Sequence, residues 1–372
     1  VYIEANQCIN IDVLFDVSFR GNVNNLVQQT RYITTGFMPS PNYQDTFFNE
    51  LSNRFKDKKS LAGAVSKALS IGMDGAYRRI SGRSNLQIDE LLTLAKKFNV
   101  HLPGGSDGDV RFSFNNQDQT IRTPADYIDQ LEAQLMLVDS WPGKQLYYAT
   151  ADLPFFYELM APTLMAFKLY VFGVTSWGFE EWKDKAFSPR LIDPAVLEKA
   201  AAISSYAYRV PSKEIWSSGL LNASLSQLEY IAMIGNFADN TVPFKILEEI
   251  SIIVDHLENM AIHGRKFAPG EDPTKSNTPF SIHYNELLYV STTILVDSPQ
   301  ASLLFLSFIT PNYLVTTDRG LGEEVRRWFD ELLGEATELG KNTRKIRNWF
   351  FNRLRSQVAA TRQRLELQFQ EE

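Results

Sequence analysis

At 372 residues, 44% hydrophobic and 12% aromatic, the chain has the length of two or three domains and enough apolar residues for a buried core, which excludes a disordered polypeptide. A single cysteine, Cys8, excludes a disulfide framework and a cysteine-ligated metal centre, and is consistent with a reducing cytoplasm. The net charge of −7 is unevenly divided: residues 44–101 hold ten Lys/Arg against six Asp/Glu, a segment of +4, while everything after residue 101 carries −10.

Residues 1–43 have neither helical nor strand periodicity, and the sequence does not begin with Met. They read as a disordered or non-native arm, with Met38 as the expected natural start. Four amphipathic patterns follow. Gln44–Phe55 places Phe47, Phe48, Leu51 and Phe55 on one stripe. A second helix, capped by Ser60, aligns Leu61, Ala64, Val65, Ala68 and Leu69. A short third helix covers Met73–Ile80, and a fourth, Gln87–Phe98, is expected to bury Ile88, Leu91, Leu92, Ala95 and Phe98. Gly72 and Gly82 punctuate the connections. Together these patterns define a domain over residues 44–102, and Pro103–Asp109, rich in Gly and Asp, opens a linker to residue 111.

Residues 112–372 change character. Gln145–Ala149 reads as a strand, and Pro154 opens an apolar helix to about Val174, with Asp152 as a cap. Helical periods cover 194–208, 222–235 and 243–263. Strand-like runs at Ser281–Val290, Thr292–Val296 and Ser302–Ile309 are followed by helices at Gly322–Leu339 and from Thr343 to Phe369. The fold class is therefore α+β and mostly helical: an all-α N-terminal bundle, then an α+β effector domain with a small antiparallel sheet. The stretches Leu159–Val174 and Ala301–Ile309 carry Lys168 or are too short to span a bilayer, and no basic start leads into an apolar run. A soluble, cytoplasmic protein with no membrane partner is expected.

The string Ser60–Leu102 carries the most specific signal. A helix, a tight turn at Ser70-Ile71-Gly72, a second short helix, a bend at Gly82 and a third amphipathic helix form a helix-turn-helix pattern. It resembles the lambda-repressor-like (Xre-type) bacterial transcription regulators in the Leu61-Ala62 opening, the Leu69-Ser70-Ile71 turn, Gly82, and the closing run Ile88–Val100. The resemblance covers about sixty residues. It implies that Met73–Ile80 lies in the major groove of double-stranded DNA, with Met73, Asp74, Gly75 and Arg78 facing outward and Ser81 and Arg83 trailing. Arg78 is the first choice for base readout, since a guanidinium pairs bidentately with guanine, and Asp74 suits a cytosine amino group. Lys58, Lys59, Lys67 and Arg83 are assigned to phosphates. Arg79 departs from the pattern, standing where the family has an apolar residue, and is expected to pair with an acid; Tyr77 is expected to pack.

No Gly-x-Ser-x-Gly, phosphate loop, dinucleotide fingerprint or His-Glu-x-x-His occurs, so no enzymatic activity, catalytic residue, cofactor or metal is expected. His256 and His263 read as surface histidines of one helix, and His283 as part of a strand. The aromatics of Leu146–Trp182 read chiefly as core, with a small-molecule effector pocket as the alternative. On the last helix, Ile346, Trp349, Phe350, Leu354, Val358 and Leu365 form a stripe beside many arginines. That helix either packs on its own domain or pairs across a two-fold axis, and a homodimer is expected because one short recognition helix reads few base pairs. The rival reading is a protein-interaction module whose bundle does not bind DNA.

Overall fold

Apolar residues three and four apart give the first helix, α1 (Tyr43–Ser52), its buried face of Phe47, Phe48 and Leu51 in the computed structural model. The structure describes residues 43–52, 55–98, 100, 110, 112–114, 121–286, 292–308 and 310–371. The arm before residue 43, with Met38, and the linker stretch 103–109 lie outside the described residues. By contact density the chain divides into two units, Val1–Gly104 and Gly105–Glu372.

In the first unit α2 (Lys58–Leu69), α3 (Met73–Ile80) and α4 (Ile88–Phe98) complete a bundle around Leu51, Leu61, Val65, Ala76 and Leu94. Two sequence expectations need correction. The cap of α2 is Asp57, whose carboxylate accepts the Ser60 backbone N–H at 2.7 Å, because the helix begins a turn earlier than the apolar period. In α4, Leu92 is half exposed and Leu94 is fully buried. At about 100° per residue, Leu91, Leu94, Ala95 and Phe98 share a face and Leu92 falls off it. Ser70 closes α2 in the left-handed region (φ 54°), a conformation glycine adopts at no steric cost, and the turn passes straight into Gly72 and α3.

The second unit is helical around a mixed sheet. Its elements are β1 (Ser113–Phe114), α5 (Pro124–Ser140), β2 (Gln145–Thr150), α6 (Phe155–Glu158), α7 (Pro162–Phe172), α8 (Pro194–Tyr208), β3 (Ser212–Trp216), α9 (Asn222–Met233), α10 (Val242–His263), β4 (Arg265–Lys266), β5 (Thr278–Tyr284), β6 (Thr293–Asp297), β7 (Ser302–Ser307), β8 (Tyr313–Thr316), α11 (Arg319–Glu335), β9 (Thr337–Glu338) and α12 (Arg344–Glu371). The strand order is β1-β8-β7-β6-β2-β3-β5-β4, with β9 also on β5. The expected small antiparallel sheet is thus wrong in size and kind. Local runs suggested hairpins only, whereas helical crossovers set β2, β3 and β5 parallel and the β6-β7-β8 meander continues antiparallel from β2. The end of the expected strand Ser281–Val290 lies outside the described residues beyond Glu286.

Strand alternation gives the sheet two faces. Tyr147, Ala149, Ile215, Leu295 and Leu304 pack against Phe329 of α11. Leu146, Tyr148, Ile294, Val296 and Leu303 turn to the other side with Val138 of α5, and Trp216, Phe280 and Ile282 join the large core of α7, α8, α9, α10 and α12. The single helix expected from Pro154 to Val174 is broken, because Pro162 disfavours helical geometry at Ala161 (φ −103°, ψ 93°) and restarts the chain as α7. Asp152 does not cap α6, whose start has no side-chain cap. Gly173 follows α7 where a Cβ would stand 2.5 Å from the Trp182 ring, so the close approach requires glycine.

The last helix buries Phe350, Phe351, Leu354, Val358 and Leu365, but Ile346 and Trp349 of the expected stripe are half exposed. Several of its arginines are engaged within the unit: Arg355 pairs with Asp255 and Glu258 of α10 at 2.7 and 2.6 Å, and Arg364 with Glu229 of α9. Among the described residues no helix is long and apolar enough to cross a membrane.

Candidate nucleic-acid interface

The geometry of α3 follows from which of its eight side chains the bundle takes. Ala76 is fully buried against the core, and Ile80 packs at its edge. Arg79 points the same way: its Nε and Nη2 donate to the two carboxylate oxygens of Glu90 at 2.9 and 2.6 Å, and Nη1 donates to the Gly75 carbonyl at 3.3 Å. Glu90 also accepts the Gln87 backbone N–H at 3.1 Å, so one acid ties α3 to the start of α4. Arg79 is therefore a bundle residue and not part of an outward face.

The remaining residues face solvent. Met73, Asp74, Tyr77, Arg78 and Ser81 are exposed, and by helical phase they span an arc of about 140°. Gly75 lies outside that arc, half-buried beside Ile71 and the Arg79 guanidinium. Tyr77, expected to pack, is 41% exposed in the middle of the arc, because it stands on the side of α3 opposite Arg79. Within the arc Arg78 Nη2 meets Asp74 Oδ2 at 2.6 Å, a pair one helical turn apart with both side chains largely in water. Such a pair adds only about 0.3–0.5 kcal/mol to the helix, so it biases the direction of the guanidinium without fixing it. Lys58, Lys59, Lys67 and Arg83 are all exposed, on α2 and after α3.

Sequence reasoning missed the residue that holds this surface in place. Gln44 on α1 donates through Nε2 to the carbonyls of Arg79 (2.7 Å) and Ser84 (2.8 Å), and its Oε1 accepts the Leu86 N–H at 2.9 Å. One side-chain amide thus satisfies three backbone groups, one in the last turn of α3 and two in the irregular segment before α4. No sequence period marks it, since these bonds join positions more than thirty residues apart.

Bonding to Arg79 holds the Glu90 carboxyl below its ordinary value of 4.5. Its folded pKa lies under its unfolded one, so the stabilisation is fully present above pH 4.5 and is lost as pH falls through the folded value. We expect the melting temperature of the first unit to fall in acid below that point, and Glu90→Gln to lower it at neutral pH while flattening the acid slope. Circular dichroism melts across pH check both.

In the second unit the three histidines lie apart in different surroundings. His256 is half-buried between Tyr208 and Phe267, contrary to the surface reading, and its Nε2 lies 2.9 Å from the Phe267 carbonyl. Burial lowers its pKa below 6.5. His263 is exposed and bonded to the Asn259 carbonyl, and His283 sits half-buried in β5. Among the described residues no group of three or more His, Cys, Asp or Glu is arranged to hold a metal ion. The chain matches no family model, no curated protein and no solved structure.

Proposed function

We propose that this protein is a sequence-specific DNA-binding transcription regulator of the lambda-repressor-like (Xre) type, acting in a bacterial cytoplasm and modulated through its larger unit. The observation that supports this most is the sorting of α3. Arg79 is bonded inward, while Arg78, Asp74, Met73, Tyr77 and Ser81 form one solvent-facing arc on a short helix joined to α2 by a three-residue turn. In a helix-turn-helix that arc enters the major groove, and the exposed Lys59, Lys67 and Arg83 reach phosphates. Two copies bound as a homodimer double the bases read.

Arg78→Ala combined with Arg83→Ala is expected to abolish salt-sensitive retention on DNA, with Arg78→Ala alone costing about 1–3 kcal/mol of discrimination between sites. Asp74→Ala should act differently: removing a negative charge beside the phosphates tightens binding to random DNA, while the freed guanidinium discriminates less. Fluorescence anisotropy on selected and random duplexes at two salt concentrations reads both effects. Wild-type protein that fails to bind any duplex at low salt refutes the proposal.

Met73 and Tyr77, apolar and aromatic on the same arc, also suit a protein-docking surface. Under that reading the double arginine variant leaves partner capture unchanged and DNA retention is absent from the start.

A further inference from the structure

A cavity of about 330 Å³ opens in the second unit between the sheet face carrying Tyr148, Ile294, Val296 and Phe305 and the helix α5. This volume lies in the range of small-molecule sites. Its lining is mainly apolar, with Phe155, Phe156 and Phe172 among the walls, yet α6, α7 and α9 each bring a polar group to it. Glu158, Lys168 and Ser224 are all buried there, and Gln227 is half-buried beside them.

These groups form one cluster. Lys168 Nζ donates to Gln227 Oε1 at 3.2 Å and stands 3.7 Å from Glu158 Oε1, and the buried Ser224 lines the same pocket. The ammonium has three hydrogens to give; one is used on Gln227, and the separation from Glu158 exceeds hydrogen-bond length. A buried ammonium in this condition favours a further oxygen acceptor.

We propose that this cavity binds an uncharged amphiphile: an apolar body against the sheet and α5, and a polar head that accepts from Lys168 and donates to Glu158, as an amide or hydroxy-carbonyl group does. Charge selects against the alternatives. The lining has one buried acid, Glu158, and one exposed acid, Asp152, for one base, Lys168, so a carboxylate ligand would add a third anion. Burial already pushes the Glu158 carboxyl above its usual range. An amine ligand would offset the extra acid in number, but its ammonium cannot accept from Lys168 and would stand as a second cation beside it. Either charged head therefore brings a like charge next to one the buried cluster already holds, which an uncharged head avoids. The role of this ligand as an effector rests on the regulator reading; its binding does not.

The test uses the full chain without DNA. Uptake of the uncharged fluorophore N-phenyl-1-naphthylamine is measured, then its displacement by a fatty primary amide, a fatty acid and an alkylamine of equal chain length. The amide is expected to displace it at concentrations about tenfold or more below the other two. Lys168→Met and Gln227→Leu should each erase that preference, and Gln134→Trp, which fills the cavity from α5, should abolish uptake; melting curves verify that each variant folds. No uptake by the wild type, or an acid or amine that competes as well as the amide, overturns the proposal. DNA retention is scored separately: amide binding without DNA binding refutes only the regulator reading, and DNA binding without amide binding refutes only the pocket.

Discussion

Leu51→Ala is expected to unfold the basic module while the larger unit stays folded. Leu51 is fully buried in a core built from little more than Phe47, Phe48, Leu61, Ala62, Val65, Ala76 and Leu94. Truncating a buried leucine costs about 2–5 kcal/mol, since both the transfer energy and the contacts around the new cavity are lost. A single hydrophobic core of about sixty residues supplies roughly 3–5 kcal/mol, so this one change consumes most of the module's stability. The measurement is unusually clean because all six tryptophans, from Trp141 to Trp349, belong to the second unit. Helical ellipticity should drop at 25 °C and DNA retention vanish, while the tryptophan emission maximum stays unchanged. A variant that keeps full ellipticity up to the wild-type melting temperature would show that the four helices draw their stability from somewhere other than this core.

The contrast between the two units also shows what a sequence discloses. In the first, the bounds of α3 are legible, since Gly72 and Gly82 bracket it and Ala76 and Ile80 face the core, but the outward set is not wholly so: Tyr77 is exposed and Gly75 is half-buried. Even the anomaly at Arg79 announces its inward pairing, because a base in an apolar slot demands an acid nearby. The partner itself, Glu90, and the clamp at Gln44 are long-range facts that no local period encodes. In the second unit the helices 194–208 and 242–263 follow their periods closely, and β2 is visible as Leu-Tyr-Tyr-Ala. The strand β3 is not. Central parallel strands usually read as apolar runs, and Ser212-Lys213-Glu214-Ile215-Trp216 reads as polar surface. Without β3 the parallel centre is invisible and only hairpins remain, so the sequence suggests a small antiparallel sheet. α5 was missed for a different reason: its Thr123/Asp126 capping box with Pro124 was present in the sequence, but its apolar face is short of a full stripe, with Met136 and Leu137 half exposed. The polar cluster of the cavity joins Glu158 and Lys168 across the break at Pro162 and brings in Gln227 from α9, so only the fold assembles it.

That hidden strand depends on a buried charge, and Lys266→Met is expected to expose the dependence. Glu214 on β3 is 1% exposed; its Oε1 accepts from the Tyr157 and Ser212 hydroxyls at 2.8 and 2.7 Å and lies 3.6 Å from Lys266 Nζ, while Oε2 has no hydrogen-bond partner among the described residues. Lys266, equally buried, donates to the Ala207 carbonyl at 3.3 Å and stands over the Tyr157 and Phe280 rings. Methionine matches the lysine stem but leaves the carboxylate uncompensated, at a cost of about 3–5 kcal/mol. Adding Glu214→Gln to Lys266→Met should restore part of this, because the amide oxygen still accepts from Tyr157 and Ser212 and carries no charge. Glu214→Gln alone leaves the ammonium unpaired, and its signature is in the pH dependence. Burial lowers the Lys266 pKa below 10.5 in the folded state, with Glu214 opposing that shift. The folded chain then binds fewer protons than the unfolded one between the lowered value and 10.5, so stability must rise with pH across that window. Removing Glu214 widens the window downward and steepens the rise. Above pH 10 the trend reverses, since burial raises Tyr127, Tyr148 and Tyr157 and the unfolded chain releases those protons first. Urea unfolding followed by tryptophan emission, from pH 7 to 10, should give Glu214→Gln a positive slope larger than that of the wild type. A slope no larger in Glu214→Gln than in the wild type would show that the Glu214 charge does not hold the Lys266 proton.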